Sequence, residues 1–235
     1  MNRIQDNFQK IKKLIDKTAK SYHKDPRNIN LLAVSKSCSV QKISAIYNCN
    51  QNHFGESYIQ EAIKKIIWFQ NNQPNKKIFW HMIGSIQSNK IMLVSKYFDW
   101  CHTIDSIKIA KKLNKYRESM QNPLQVLIQI NIHQERNKHG AHPKEIKKIS
   151  DFINDNCRYL KLRGIMAIPL KTNDLIKQRE AFRDLYKIFV NLKHSYSNID
   201  ILSIGMTNDM ISAIAEGSTL LRIGNGIFNL KKQQI

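Results

Sequence analysis

Lys36 closes the stretch Leu31-Leu32-Ala33-Val34-Ser35, five uncharged residues of which four are apolar. Such a run reads as a buried strand. The lysine at its end then has two readings. Its ammonium sits in water as an ordinary strand-end charge, or its amine is held as a nucleophile toward a carbonyl. Two later turns bear on the choice. Thr207-Asn208-Asp209 opens a helical pattern with free backbone N–H groups, and Gly224-Asn225-Gly226 gives a backbone that an anion can approach closely. Either turn alone is ordinary loop chemistry. Beside an amine, the two together would suit a phosphorylated aldehyde held as a Schiff base.

These residues lie far apart in the chain, so elements must bring them together. An amphipathic helix opens the sequence, with Ile4, Phe8, Ile11, Ile15 and Ala19 on one side. Strand patterns follow at 29–35, 53–57, 78–84, 100–104, 124–131, 162–168, 200–206 and 219–224. Helical patterns alternate with them. One starts at His142-Pro143, one takes Thr172 or Asn173 as its N-cap, and one ends at Gly217 as a C′ glycine. Eight mostly apolar strands alternating with helices imply a parallel sheet covered by helices, and eight units is the count of a (β/α)8 TIM barrel. The rival open sheet calls for a glycine-rich turn after the first strand, and Ser35 to Val40 contains no glycine. The chain reads as one domain over residues 1–235, a barrel with an extra N-terminal helix.

Composition narrows the function classes. The net charge of +20 raises nucleic acid as a partner, but the lysines are spread over nearly every helical stretch and no zinc-finger or aromatic RNA-binding motif accompanies them. The charge is read as solvated faces, with no specific nucleic-acid partner. The N-terminus lacks the apolar segment of a signal peptide, and no run is long enough to span a bilayer. Cys38, Cys49, Cys101 and Cys157 are scattered without a paired motif, as expected of reduced thiols in a cytoplasmic protein.

In an α/β barrel the active site lies at the C-terminal ends of the strands, with phosphate bound after the seventh and eighth. The residues closing the strands are therefore the candidates: Lys36, Glu56-Ser57, His81 before Gly84, Asn131, Met166, Met206 to Asp209, and Arg222 to Gly226. The first strand neighbours the eighth in a closed barrel, so Lys36 would face the phosphate turns. Pyridoxal 5′-phosphate is the leading candidate for the ligand. Arg222, two residues before Gly224, would donate to the pyridine nitrogen and keep it unprotonated, where an Asp would keep it protonated. A strand-end salt bridge is the plainer reading of Arg222.

The stretches LLAVSK, HFGESYIQEA, WHMIGSIQSNK, FDWCHTIDS, NKHG, LRGIMAIP and SIGMTNDMISAIAEGSTLLRIGNGIF run in order along nearly the whole chain. In them the sequence resembles the pyridoxal phosphate homeostasis proteins, also called the YggS or proline synthetase co-transcribed family. The resemblance implies a barrel similar to the N-terminal domain of alanine racemase. It implies that Lys36 forms the internal aldimine with the cofactor, that Arg222 faces the pyridine nitrogen, and that Thr207, Gly224 and Asn225 hold the phosphate. Ser203 would support Arg222 from behind, His81 and Met206 would belong to the cofactor pocket, and Ser57 would lie near the ring hydroxyl. The chain departs from the family pattern at Ser57, usually Asn; at Ile204 and Thr207, usually Met and Ser; and at Asn225, usually Ser or Thr.

The function this implies is non-catalytic: holding pyridoxal phosphate, buffering it, and handing it to apo-enzymes. The alternative is a racemase, which needs an acid/base on each face of the substrate carbon. Alanine racemases bring the second base, a tyrosine, from a separate C-terminal domain that has no counterpart in this sequence, and His81 is the obvious stand-in. His133, His139 and His142 share a loop without a carboxylate or thiolate partner and read as solvated, not metal-bound. Lys138 and Lys231-Lys232 are either a secondary landing site for an anionic cofactor or ordinary surface charge. Glu56 is expected to pair or cap locally, and the protein to be a monomer.

Overall fold

A computed structural model of the protein describes residues 2–135, 138–172 and 174–228. Its helices are α1 (Asn2–Ser21), α2 (Val40–Tyr47), α3 (Ile59–Asn72), α4 (Ile91–Tyr97), α5 (Ile107–Arg117), α6 (Ile146–Asn156), α7 (Leu175–Ser195), α8 (Met210–Ala215) and α9 (Asn225–Phe228). The strands are β1 (Asn30–Val34), β2 (His53–Glu56), β3 (Phe79–Met82), β4 (Trp100–Ile104), β5 (Leu124–Ile130), β6 (Leu160–Ala167), β7 (Ile201–Ser203) and β8 (Leu220–Ile223). They close into one barrel in sequence order, every pairing parallel, with β1 hydrogen-bonded to both β2 and β8.

Alternation along the strands divides the apolar residues into two cores. Ala33, Phe54, Met82 and Ile128 face outward and pack under the helices. Leu32, Trp100, Leu127, Met166, Ile201 and Leu220 face inward and fill the barrel. The barrel interior also takes polar groups, since His81, His102, Ser203 and Arg222 are all buried. Helix α1 buries Ile4, Phe8, Ile11, Ile15 and Ala19, the stripe expected from its periodicity, and packs on α2, α8 and α9.

Glycine decides one close approach. Gly164 in β6 has φ +147°, and a Cβ there would lie 1.9 Å from the Ile201 carbonyl oxygen of β7. The β5–β6 register shifts just before it, so the strand needs a residue without a side chain at the irregularity.

Element ends differ from the sequence expectation in specific ways. β7 stops at Ser203, not 206, because Gly205 turns the chain at φ +93°. The N-cap of α7 is Asp174, which accepts from the N–H groups of Ile176 and Lys177 at 2.9 and 3.2 Å. Thr172 instead accepts from Asp174 N–H at 3.1 Å, and Asn173 lies outside the described residues. His142-Pro143 does start a helical segment, first as a 3-10 turn in which His142 accepts from Lys144 N–H. Gly217 sits at φ +96° just beyond α8, as a C′ glycine. The short α9 had no separate signal within the strand-eight motif. Among the described residues no helix is long and apolar enough to cross a membrane.

Candidate functional site

The C-terminal ends of the strands open onto a cleft of about 420 Å³. Lys36, two residues beyond β1, lies at its edge with an exposed side chain, so the strand ends in a buried Ser35 followed by a solvent-facing amine. Among the described residues Lys36 has no carboxylate in ion-pair range, whereas Lys138 on the same cleft pairs with Glu135 at 2.7 Å.

Arg222 approaches the cleft from inside the barrel. It is 3% exposed, and it donates to the Ser203 carbonyl and hydroxyl and to the Ala167 carbonyl. Those bonds lock the guanidinium across the ends of β6, β7 and β8. Burial lowers its pKa to about 10, and the Coulombic attraction of Asp209 opposes that shift. A strand-end salt bridge, the plainer sequence reading, is not what holds it among the described residues.

The two polar turns meet beside the end of β1. Thr207 Oγ1 accepts from Gly226 N–H at 3.2 Å, which ties the turn after β7 to the start of α9. Asp209 accepts from Met206 N–H at 2.5 Å and folds the first turn back on itself; burial raises its carboxyl pKa, against the pull of that bond. The backbone N–H groups of Thr207, Asn208, Gly224 and Asn225 have no hydrogen-bond partner among the described residues. A Cβ on Gly224 would press on Val34 at 3.2 Å, so this glycine lets the turn lie close against the end of β1. An unpartnered set of N–H donors with a threonine hydroxyl beside it fits a phosphate group.

Ser57, half-buried, lies on the cleft beside Ile83. Met206 is exposed at the rim. Ser203 is fully buried against Arg222, as expected of a residue behind it. The segment 168–172 forms a further wall of the cleft, and nothing in its residue types marks it as part of a site, since it carries no charge but Lys171. Lys231-Lys232 lie outside the described residues.

His81 is a correction. It does not line this cleft. Its ring stacks on Trp100, 5.0 Å between centroids, and sits within hydrogen-bond distance of His53 (2.8 Å) and His102 (2.9 Å). It borders a larger cavity of about 750 Å³ at the opposite, N-terminal end of the strands. The reason is register: His81 pairs level with Gly55 and Trp100, below the strand ends. The larger cavity carries the amines of Lys12 and Lys20 but none of the open N–H turns, so the smaller one, where amine and turns meet, is the candidate site. His133, His139 and His142 form no metal-binding group among the described residues.

The chain matches the model of the alanine racemase N-terminal domain over residues 1–232. It is 43% identical to the pyridoxal phosphate homeostasis protein of Haemophilus influenzae over 230 residues, 97% of this chain and 96% of that protein. PipY of Synechococcus elongatus, solved with PLP bound, superposes at a TM-score of 0.76 with 26% identity, over 92% of this chain and 100% of that one. Alanine racemase of Clostridium difficile shares the fold at a TM-score of 0.74 and 14% identity; the match covers all of this chain and 58% of the racemase.

Proposed function

This chain belongs to the pyridoxal phosphate homeostasis proteins, with the barrel of the alanine racemase N-terminal-domain family, and we propose that it holds pyridoxal 5′-phosphate in the cleft at the end of β1. One observation carries the reading: Lys36, Arg222 and the two turns with open N–H groups converge on the same cleft. When bound, the cofactor supplies an aldehyde that condenses with a primary amine. Lys36 is the amine we assign, since it stands two residues beyond Val34, against which Gly224 of the open turn packs, whereas Lys138 is paired with Glu135. Thr207, Gly224 and Asn225 would take the phosphate through their N–H groups and the threonine hydroxyl. Arg222 carries donors and no acceptor, so facing the ring nitrogen it would leave that nitrogen unprotonated. Ser57 and Met206 would border the ring.

We read the protein as a carrier and buffer of the reactive aldehyde, without catalytic turnover, acting in the cytoplasm as a monomer and passing the cofactor to apo-enzymes. Racemisation needs a second acid/base across from the amine. The described residues lining the cleft include no tyrosine and no histidine, and His81, the stand-in, faces the other end of the barrel.

The test is an absorption spectrum with added cofactor, on wild type and Lys36→Ala, followed by borohydride reduction and peptide mass mapping. The expected result is a visible band in the wild type, its loss in the variant, and the pyridoxyl mass on the Lys36 peptide. A wild-type protein that takes up no cofactor overturns the reading. Turnover of alanine enantiomers by the loaded protein would overturn the carrier assignment.

A further inference from the structure

Both peptide units flanking Lys36 are tied to a single helix. On one side Lys65 Nζ, from α3, donates to the Ser35 carbonyl at 2.8 Å. On the other, Ser37 N–H donates to Glu61 Oε1, also on α3, at 2.7 Å. Lys65 and Glu61 pair with each other at 2.5 Å. Beneath them the fully buried Glu56 receives Lys65 through both carboxylate oxygens and the Ser35 hydroxyl at 2.5 Å.

We propose that Lys65 and Glu61, seated on Glu56, are positioning residues that aim the Lys36 side chain into the cleft; this rests on the reading that Lys36 is the amine that takes the aldehyde. The peptide unit before a residue and the one after it together set φ and ψ, and so the direction of its Cα–Cβ bond. A pair serving only to hold α3 on β2 would need nothing beyond the Lys65–Glu56 contact. Here two further bonds go to the backbone on either side of Lys36. Ser37 sits at φ +59°, a conformation that a non-glycine residue holds only where its surroundings fix it. The Glu61 bond supplies that restraint. Helix α3 thus acts as a jig for an amine whose own side chain is exposed and otherwise free to wander.

Attachment forms a bond from Lys36 Nζ to the aldehyde carbon and releases the carbonyl oxygen as water, with no change in oxidation state. Its rate depends on how often the amine points at the carbon. The experiment compares wild type, Lys36→Ala, Glu61→Ala, Glu61→Gln and Lys65→Met. Three quantities are read: the rate at which borohydride traps pyridoxal 5′-phosphate on the Lys36 peptide, the affinity for pyridoxine 5′-phosphate, which has no aldehyde, and amide exchange at Ser37. Glu61→Ala is expected to slow Lys36 labelling about tenfold and to speed Ser37 exchange, with pyridoxine 5′-phosphate affinity unchanged. Glu61→Gln, whose amide oxygen still accepts from Ser37 N–H, should restore the labelling rate. Lys65→Met should behave like Glu61→Ala; if it does not fold, the Glu61 pair decides.

An unchanged labelling rate in Glu61→Ala, with label on Lys36 in the wild type, overturns the positioning role alone. So does an equal loss of pyridoxine 5′-phosphate binding, which would mark general damage to the cleft. Absence of label from Lys36 in the wild type overturns the cofactor reading and this proposal with it.

Discussion

Arg222 donates twice to Ser203, from one guanidinium nitrogen to the backbone carbonyl at 2.5 Å and to the side-chain hydroxyl at 2.8 Å. The third bond, to the Ala167 carbonyl at 2.9 Å, brings to three the N–H donors held by neutral oxygens, out of the five that a guanidinium carries. A buried charge held this way has its orientation fixed by the barrel wall and not by a mobile counterion.

Ser203→Ala removes one of the three bonds and leaves Arg222 buried with the other two. The expected cost is about 1–2 kcal/mol, read as a fall of roughly 3–6 °C in melting temperature for a chain of this size. An unchanged melting temperature would mean that the two carbonyls suffice and that the hydroxyl contributes nothing.

Stability should fall in mild acid through His81 and His102. Burial pushes both imidazoles well below 6.5; His102 and His53 repel a proton on His81, and Arg222 and His53 repel one on His102. The unfolded chain, with ordinary imidazoles near 6.5, therefore takes up protons before the folded one does. Above that value these groups add no pH dependence. Below it each lowers stability by up to about 1.4 kcal/mol per pH unit until the folded group itself titrates. Urea midpoints at about pH 7.5 and 5.5 measure the slope, and His102→Gln should make it shallower. A slope equal to that of the variant would remove His102 from the account.

The barrel is legible because short, mostly apolar strand runs and period-3.6 helices alternate eight times, a pattern set by local sequence and read without distances. Lys36, Arg222 and the two turns were legible for a related reason: barrel closure fixes where strand ends must meet. His81 was not legible. Its side-chain direction follows from strand alternation, but its height in the barrel depends on register with β2 and β4, a relation between segments that no single segment encodes. The bracket of Glu56, Glu61 and Lys65 escaped for the same reason. Glu56 was expected to pair locally, and the sequence offers no sign that its partner lies on α3 or that the pair reaches the backbone beside Lys36.

Gly164→Ala tests the barrel itself. The glycine's φ of +147° and the 1.9 Å approach to the Ile201 carbonyl leave no room for a methyl group between β6 and β7. Relief requires β7 to move, and β7 carries the Ser203 that holds Arg222. The expected loss is more than about 3 kcal/mol, with the protein largely in inclusion bodies. A soluble variant with wild-type melting would show that the strands shift apart at little cost.

Thr207 separates the phosphate function of the cleft from its scaffold. Its hydroxyl oxygen accepts from Gly226 N–H, so the hydroxyl hydrogen stays free for a ligand while the oxygen joins the two turns. Its Cγ2 packs against Gly226, where an added Cβ would lie at 3.1 Å. Thr207→Val keeps the shape but strips both acceptor and donor, leaving Gly226 N–H without its partner. Thr207→Ser keeps the hydroxyl and loses only the methyl. The valine variant is expected to bind pyridoxine 5′-phosphate roughly tenfold more weakly, about 1.4 kcal/mol, and the serine variant to bind like wild type. Inorganic phosphate should compete with the ligand in wild type and compete less well in the valine variant. Equal affinity in all three proteins would place the phosphate away from this turn and return Thr207 to a purely structural role.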